Sequence, residues 1–228
     1  VIGNHVTKTN SFKTRGSQSV NFSTNNPAEL LKFLKTQLTR TAVVGTWKQS
    51  GNTWWYQYTN GNYATGWKQI DGNWYFFDNE GWMKTGWVSS NGSWYYLNSN
   101  GILKTGWLKS GNSWYFLDNS GAMKTGWIAT GGVWYYLDYS GVMKTGWFKD
   151  NGKWYYLNKD GIMETGSHTI NGLRYYLSTS GAMQTGWQKL EEKWYFYSDS
   201  GIGQTGWLKD HDMWYYLEAK EGTMLVGL

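Results

Sequence analysis

Aromatic side chains are the residues of this sequence with the clearest chemical potential. The 228 residues include 18 Trp and 18 Tyr but no Cys. Without Cys there is no thiolate for nucleophilic catalysis or for a zinc site, and His5, His168 and His211 lie in unrelated parts of the chain. Indole and phenol rings can instead stack on flat ligands or surround a cation with their electron-rich faces. The spacing of the rings indicates which use applies.

The aromatic residues recur with a period of twenty. The tripeptide Thr-Gly-Trp begins at positions separated by multiples of twenty residues, namely Thr65, Thr85, Thr105, Thr125, Thr145, Thr185 and Thr205. A first copy carries Gly45-Thr46-Trp47, and the seventh copy carries Thr165-Gly166-Ser167. A second Trp follows seven residues after each first Trp and begins a run such as Trp114-Tyr115-Phe116-Leu117. This regular period over nine copies is typical of a tandem-repeat protein.

Each repeat is predicted to form a β-hairpin. In the third copy, a strand from Thr85 to Ser89 is followed by Asn91-Gly92 and by a second strand from Ser93 to Asn98. Asn-Gly and Asp-Gly are typical of type I′ turns, because both turn residues need a positive φ. An isolated hairpin is only marginally stable, so neighbouring hairpins must stack to bury their aromatic faces. The chain is therefore predicted to be an all-β solenoid of about nine hairpins of twenty residues.

Side-chain alternation places the two Trp of a hairpin on the same face. With Asn91-Gly92 as the turn, Trp87 and Trp94 share one face, while Tyr95 lies on the other. Two Trp from one repeat should then meet a Tyr from the next repeat, here Tyr115. Three such rings around a gap favour a quaternary ammonium ion, with about 0.5–2 kcal/mol from each ring. Core packing is the alternative, but Leu, Val or Ile would serve a core equally well, and both positions are Trp in eight of nine copies.

The seventh copy loses both Trp together. Ser167 and Arg174 stand at the two Trp positions, while Tyr175 and Tyr176 are kept. This joint loss indicates that the Trp pair serves one site and that the Tyr pair serves the fold or the preceding site. The seventh copy is therefore predicted to fold normally but to hold no quaternary ammonium ion.

Residues 1–44 differ from the repeats in composition and charge. They contain no Trp or Tyr and carry six basic side chains and one acidic side chain, whereas residues 45–228 carry fifteen of each. The neutral repeats lack the positive groove that accompanies stacking platforms in proteins that bind single-stranded nucleic acids, so no nucleic-acid partner is expected. No apolar run approaches the roughly 20 residues that a transmembrane helix needs. The chain is thus divided into a basic segment, 1–44, and a repeat domain, 45–228.

A helix is predicted near residues 27–40 of the basic segment. Asn26-Pro27-Ala28-Glu29 combines an N-cap residue, a Pro at the first helical position and a Glu at the third. The leucines that follow fall on one side of such a helix. We expect the helix to cap the first repeat. The alternatives are a docking helix for a host or bacterial protein and the remnant of a larger domain that has been lost.

The repeats resemble the choline-binding repeats of pneumococcal surface proteins and phage lysins. The pattern TGWxxxxGxWYYLxxxGxMKTGW occurs almost unchanged around Trp87–Trp107 and again around Trp127–Trp147, and the resemblance covers residues 45–228. It implies a left-handed solenoid that binds choline or phosphocholine without a metal or other cofactor. It also implies attachment to the choline residues of teichoic and lipoteichoic acids, and therefore a secreted protein bound to the cell wall of a Gram-positive bacterium.

The resemblance further implies cages built from two Trp of one hairpin and one Tyr of the next. The choice of the first Tyr in each pair follows from strand alternation. A Met or Leu is expected as a fourth wall, with Met123, Met143, Met163, Met183 and Leu103 as candidates. On this chain the sets are cage 1 (Trp47, Trp54, Tyr75), cage 2 (Trp67, Trp74, Tyr95), cage 3 (Trp87, Trp94, Tyr115), cage 4 (Trp107, Trp114, Tyr135), cage 5 (Trp127, Trp134, Tyr155), cage 6 (Trp147, Trp154, Tyr175) and cage 7 (Trp187, Trp194, Tyr215). Trp207 and Trp214 have no following repeat to complete a cage.

Two other kinds of repeat share this sequence skeleton. They are the glucan-binding repeats of streptococcal glucansucrases and the receptor-binding repeats of clostridial toxins. Carbohydrate sites need polar side chains that converge beside an aromatic platform, whereas the nearly unbroken Trp pair favours choline. A glucan- or other carbohydrate-binding repeat domain is therefore the alternative.

The chain is expected to be a binding module without catalysis of its own. Members of the family often carry a hydrolase domain, and residues 1–44 are too few to form one. Two hypotheses remain open. The chain is either a stand-alone adhesin or modulator at the cell surface, or the targeting module of a peptidoglycan hydrolase whose catalytic domain lies elsewhere.

Overall fold

The computed structural model describes residues 10–12, 20–22 and 44–226. Within the basic segment, β1 (Asn10–Phe12) and β2 (Val20–Phe22) pair in antiparallel fashion. The helix predicted near residues 27–40 lies outside the described residues. The part of the chain that the structure describes contains no helix that is long and apolar enough to cross a membrane.

Eighteen further strands form nine hairpins between residues 44 and 226. Each hairpin is a separate two-stranded sheet, which confirms the predicted all-β repeat. The strands are β3 (Gly45–Ser50), β4 (Thr53–Tyr58), β5 (Gly66–Ile70), β6 (Asn73–Phe77), β7 (Gly86–Ser90), β8 (Ser93–Leu97), β9 (Gly106–Ser110), β10 (Ser113–Leu117), β11 (Gly126–Thr130), β12 (Val133–Leu137), β13 (Gly146–Asp150), β14 (Lys153–Leu157), β15 (Gly166–Ile170), β16 (Leu173–Leu177), β17 (Gly186–Leu190), β18 (Lys193–Tyr197), β19 (Gly206–Asp210) and β20 (Met213–Leu217). The observed bounds differ by one residue from those predicted for the third copy.

The hairpin turns have the backbone conformation that the sequence predicts. Asn91 and Gly92 have φ values of 49° and 78°, as the two positions of a type I′ turn require. Two turns adopt the same conformation without glycine: Glu191 and Glu192 have φ values of 46° and 65°, and His211-Asp212 has the same two values. A residue with a Cβ at the second turn position is strained at a positive φ, whereas glycine is not, so these two turns store conformational energy that the Asn-Gly turns avoid.

The chain divides into two compact units, one of Val1–Val88 with Tyr96–Leu103 and one of Ser89–Tyr95 with Lys104–Leu228. In the first unit, Tyr56, Ala64, Ile70, Tyr75 and Phe77 form a buried core. In the second unit, the last residue of each second strand is at most 1% exposed. These residues are Leu117, Leu137, Leu157, Leu177, Tyr197 and Leu217. Each such side chain stabilises the fold by about 1.5–3 kcal/mol through burial.

One backbone hydrogen bond links each hairpin to the segment that follows its neighbour. In the second unit, the Met143 N–H donates to the Trp114 carbonyl at 2.9 Å, and the Met183 N–H donates to the Trp154 carbonyl at 2.8 Å. The same bond recurs in the first unit, from Met83 to Trp54 at 2.7 Å. The partners are 29 residues apart, so this bond fixes the second Trp of one hairpin against the Met segment that follows the next hairpin.

Candidate functional site

Strand register brings the two Trp of a hairpin together at nearly a right angle. In β9 and β10, Trp107 pairs with Phe116 and Lys109 pairs with Trp114, so both indoles extend from the same face. Their ring centroids are 6.3 Å apart with an interplanar angle of 86°. Three other pairs show the same corner, with distances of 6.3–6.5 Å and angles of 80–85°. They are Trp127–Trp134, Trp187–Trp194 and Trp207–Trp214. A corner of two indole faces is the geometry that a small cation can contact on two sides.

The first Tyr of the following hairpin closes the corner. Tyr135 contacts Trp107 with a centroid distance of 4.7 Å. In four other cages the corresponding distance is 4.8–4.9 Å, for Trp47–Tyr75, Trp127–Tyr155, Trp147–Tyr175 and Trp187–Tyr215. The second aromatic residue of each run packs instead on the Trp of its own hairpin, as Phe116 does on Trp107 at 5.2 Å. In these five cages, the first Tyr of the pair contacts the Trp of the preceding hairpin, as strand alternation predicts.

Three of the cages, cages 1, 4 and 6, enclose a cavity with a Met as an additional wall. Cage 1 has a cavity of about 230 Å³ that Met83 helps to line. Cages 4 and 6 have cavities of about 360 Å³, lined also by Met143 and Met183 respectively. Met143 and Met183 were among the predicted fourth walls, whereas Met83 was missed. Met83 lies one repeat length, twenty residues, before Leu103, and this spacing could have identified it.

The rim of each cavity comes from a loop further along the chain. Ser99 and Asn100 lie at cage 1, Lys159 and Asp160 at cage 4, and Asp199 and Ser200 at cage 6. Lys159 and Asp160 form an ion pair with an N–O distance of 3.2 Å, so their charges largely offset each other. The second Trp of each cage is partly exposed; Trp154, for example, is 42% exposed. The cavities are therefore aromatic pockets that are open on one side and have a polar rim.

Two predicted sets combine residues of both compact units. They are cage 2 (Trp67, Trp74, Tyr95) and cage 3 (Trp87, Trp94, Tyr115), and they stay predictions. Cages 1, 4, 5, 6 and 7 each lie within one unit, and the structure brings together the first Trp and the Tyr of every one. Within the described residues, no group of three or more Asp, Glu or His side chains could hold a metal ion.

The seventh hairpin folds like the others, as predicted, although its two Trp are absent. Ser167 pairs with Tyr176 and Thr169 pairs with Arg174, which is the register of the neighbouring hairpins. Two further changes accompany the loss of the Trp pair. Gly203 replaces the expected Met, and Tyr197 replaces the buried Leu at the end of the next hairpin's second strand.

Tyr197 occupies the space that a cage would need. Its side chain is 1% exposed, and a Cβ added at Gly203 would lie 3.4 Å from the Tyr197 ring and 3.4 Å from the Arg174 Cβ. A Met at position 203 would therefore compete with the ring. Burial raises the pKa of the Tyr197 hydroxyl. The Ser167 side chain and the positive charge of Arg174 act in the opposite direction and lower it. Its hydroxyl has no hydrogen-bond partner of ordinary geometry among the described residues. Tyr197 is thus buried next to Ser167 and Arg174, the residues that replace the Trp pair.

Arg174 also contacts the C-terminal loop. Its Nη2 donates to the Lys220 carbonyl at 2.9 Å. That loop is one residue longer than the preceding loops and contains Gly222, where an added Cβ would lie 2.8 Å from the Gln204 carbonyl oxygen. Arg174, which replaces the second Trp, therefore holds the C-terminal loop in place. The spacing of the repeats could not reveal this contact.

The last Trp pair remains open. Trp207 and Trp214 form the usual corner, at 6.3 Å and 85°. They are 66% and 64% exposed, and the described residues that follow Leu217 form no further hairpin. The Trp corner thus forms within a single hairpin, whereas closing it needs the next one.

Comparisons with known proteins agree with this geometry. A family model described as a choline-binding repeat matches residues 64–104, 84–126, 104–144, 124–163 and 184–227. These ranges cover more than half of the chain and leave out residues 164–183, where Ser167 and Arg174 lie. A search of the curated proteins found no match.

Solved structures of two pneumococcal proteins are similar to this chain. The structure of CbpJ from Streptococcus pneumoniae TIGR4 is 30% identical with a TM-score of 0.57, covering 80% of this chain and 88% of that chain. Choline binding protein F from Streptococcus pneumoniae, in the presence of a peptidoglycan analogue, is 31% identical with a TM-score of 0.54, covering 80% and 87% respectively. CbpF in complex with ipratropium is 25% identical with a TM-score of 0.59, covering 81% and 94%. The chain belongs to the choline-binding repeat family.

Proposed function

We propose that the chain binds choline in its aromatic cages and thereby attaches non-covalently to a choline-bearing cell wall. The observation that carries this proposal is the closed corner. In cages 4, 5 and 7, two nearly perpendicular indoles meet a phenol ring of the next hairpin, and the ring centroids of the first Trp and the Tyr lie 4.7–4.9 Å apart. Membership of the choline-binding repeat family supports the same ligand.

The chemistry of the walls suits a trimethylammonium group. Its positive charge is spread over methyl groups, which form no conventional hydrogen bonds, so it needs electron-rich surfaces more than hydrogen-bond acceptors. Indole and phenol faces supply such surfaces, at about 0.5–2 kcal/mol for each ring. Met143 and Met183 add polarisable thioethers that adapt to the shape of the ligand.

Several weak cages on one chain would produce firm attachment. Once one cage holds a polymer, the remaining cages meet its other choline groups at a high effective concentration. We therefore propose the choline residues of teichoic and lipoteichoic acids as the partners. The chain would act as a secreted binding module at the surface of a Gram-positive bacterium, either alone as an adhesin or modulator or attached to a peptidoglycan hydrolase.

Affinity chromatography tests the proposed ligand. The chain should be retained on a choline-analogue resin at a salt concentration that suppresses ion exchange, and free choline should elute it. The neutral isostere 3,3-dimethylbutan-1-ol is the matched eluent, because it has the shape of choline without the charge. Retention on dextran together with passage through the choline-analogue resin would overturn the proposal and favour the carbohydrate alternative.

A further inference from the structure

Two of the cages contain a carboxylate that is hydrogen-bonded to their first Trp. The Trp127 Nε1–H of cage 5 donates to Asp150 Oδ2 at 3.1 Å, and the Trp187 Nε1–H of cage 7 donates to Asp210 Oδ2 at 2.9 Å. Each Asp ends the first strand of the hairpin that also supplies the Tyr of that cage. The carboxylate therefore contacts one wall of the cage from a position 23 residues after the first Trp.

This position varies from cage to cage. Ile70 occupies it in cage 1, Thr130 in cage 4 and Ile170 in cage 6. Isoleucine has no oxygen that could accept a hydrogen bond from the indole, and threonine carries no charge. The carboxylate at cages 5 and 7 is thus a local feature rather than a requirement of the repeat.

A second charged position lies opposite the second Trp. The Lys109 Nζ lies 6.0 Å from the ring centroid of Trp114 in cage 4, and the Lys149 Nζ lies 5.9 Å from that of Trp154 in cage 6. In cage 5 the cross-strand partner of Trp134 is Ala129. An ammonium group this close to the indole repels any cation bound in the same cage, so cage 5 avoids a penalty that cages 4 and 6 carry.

The remaining charges at these cages do not reverse the pattern. In cage 7, Lys189 forms an ion pair with Glu192 at 2.6 Å, which offsets its charge. His211 Nδ1 lies 3.1 Å from Asp210 Oδ1 and offsets the Asp210 charge when it is protonated, so cage 5 carries the clearer comparison. At cage 4, the rim residues Lys159 and Asp160 offset each other. Cage 6 has a single acidic rim residue, Asp199, which compensates in part for Lys149.

We infer that Asp150 and Asp210 are affinity-determining residues which make cages 5 and 7 tighter cation sites than cages 1, 4 and 6. The inference rests on the proposed function. The carboxylate polarises the indole through its N–H and adds a negative charge beside the ligand. Cage 5, with Asp150 and Ala129, contrasts most sharply with cage 4, with Thr130 and Lys109. We expect cage 5 to bind choline about threefold to tenfold more tightly than cage 4 at low salt.

Exchanging the two charge sets tests this inference within one chain. The double variant Ala129→Lys with Asp150→Thr gives cage 5 the side chains that cage 4 has at these two positions. The double variant Lys109→Ala with Thr130→Asp gives cage 4 those of cage 5. Titration with choline chloride, followed through the indole N–H resonances of Trp127 and Trp107, reports each cage separately. The order of the two affinities should reverse in a chain that carries both exchanges. The difference should shrink as salt is added, because salt screens exposed charges.

Two single variants separate charge from orientation. Asp150→Asn keeps an oxygen that can accept the indole N–H but removes the charge, so choline binding at cage 5 should weaken nearly as much as in Asp150→Leu. Binding of the neutral 3,3-dimethylbutan-1-ol at cage 5 should not change in Asp150→Asn. Wild-type choline affinity in Asp150→Asn, or equal affinities of cages 4 and 5 in the wild-type chain, would overturn the inference and leave choline binding intact. Unchanged indole resonances in every cage would instead overturn the proposed function.

Discussion

Trp154→Leu should weaken cation binding at cage 6 while leaving the hairpin folded. Trp154 is 42% exposed and lines the cavity with Trp147, Tyr175 and Met183. Leucine preserves an apolar contact at this position but removes the electron-rich face. A ring contributes about 0.5–2 kcal/mol to cation binding, so the choline affinity of cage 6 should fall about 2- to 30-fold. Because Trp154 is only partly buried, the substitution should cost less folding stability than the about 3–5 kcal/mol of a Trp truncated to Ala in a core.

The seventh hairpin offers a matched control for this substitution. Arg174 occupies the position of Trp154 one repeat later, in the hairpin that lacks the Trp pair and is predicted to hold no cation. Arg174→Leu should leave choline binding unchanged, although it removes the hydrogen bond to the Lys220 carbonyl. Calorimetric titration with choline measures binding, the Trp147 indole resonance reports cage 6, and urea unfolding measures stability.

Two outcomes would refute this reasoning. Wild-type affinity at cage 6 in Trp154→Leu would show that the indole face is not what holds the cation and that packing alone explains the Trp. An equal loss of choline binding in Arg174→Leu would show that the seventh hairpin holds a ligand after all.

Three further predictions concern the turns and loops. Replacing Glu191-Glu192, with φ values of 46° and 65°, by Asn-Gly should raise the free energy of unfolding by about 1–2 kcal/mol, as measured by urea denaturation. Gly161→Ala, at a φ of 78° with its Cβ 2.5 Å from the Met143 Sδ, should lower stability by about 1–2 kcal/mol and weaken choline binding at cage 4. The Ser120 hydroxyl lowers the pKa of Asp118, although burial opposes the effect, so the carboxylate stabilises the loop above its ordinary pKa. This stabilisation is lost as pH falls through the lower folded value, and Asp118→Asn should reduce that part of the acid sensitivity in unfolding measured from pH 6 to about pH 2.

Much of the fold and of the cages could be predicted because their determinants are local. The Asn91-Gly92 turn sets the register of its hairpin, and register with strand alternation decides which face each aromatic residue takes. The closing Tyr135 could be assigned because every repeat presents the same two faces to its neighbours. Because the sequence is periodic, these local rules also predict the contact between Trp107 and Tyr135, which are 28 residues apart.

The features that sequence reasoning missed depend on contacts that the repeat does not specify. Tyr197 looks like an ordinary replacement of a buried Leu until it is seen to fill the space beside Gly203. The bond from Trp127 to Asp150 depends on a strand-end position that holds Ile in some copies and Asp in others. Such exceptions to the period have no template within the sequence, so only the arrangement of neighbouring hairpins reveals them.

The backbone bond between a Trp carbonyl and a Met N–H has a genetic consequence. This hydrogen bond recurs at 2.7–2.9 Å in cages 1, 4 and 6, so the same kind of interface joins several pairs of neighbouring hairpins. Unequal recombination between two Thr-Gly-Trp codon stretches would insert or delete whole units in register. Each inserted unit would dock through an interface already in use and bring one more Trp corner with it. The number of attachment points could therefore change in a single mutational event, without a new protein surface having to evolve.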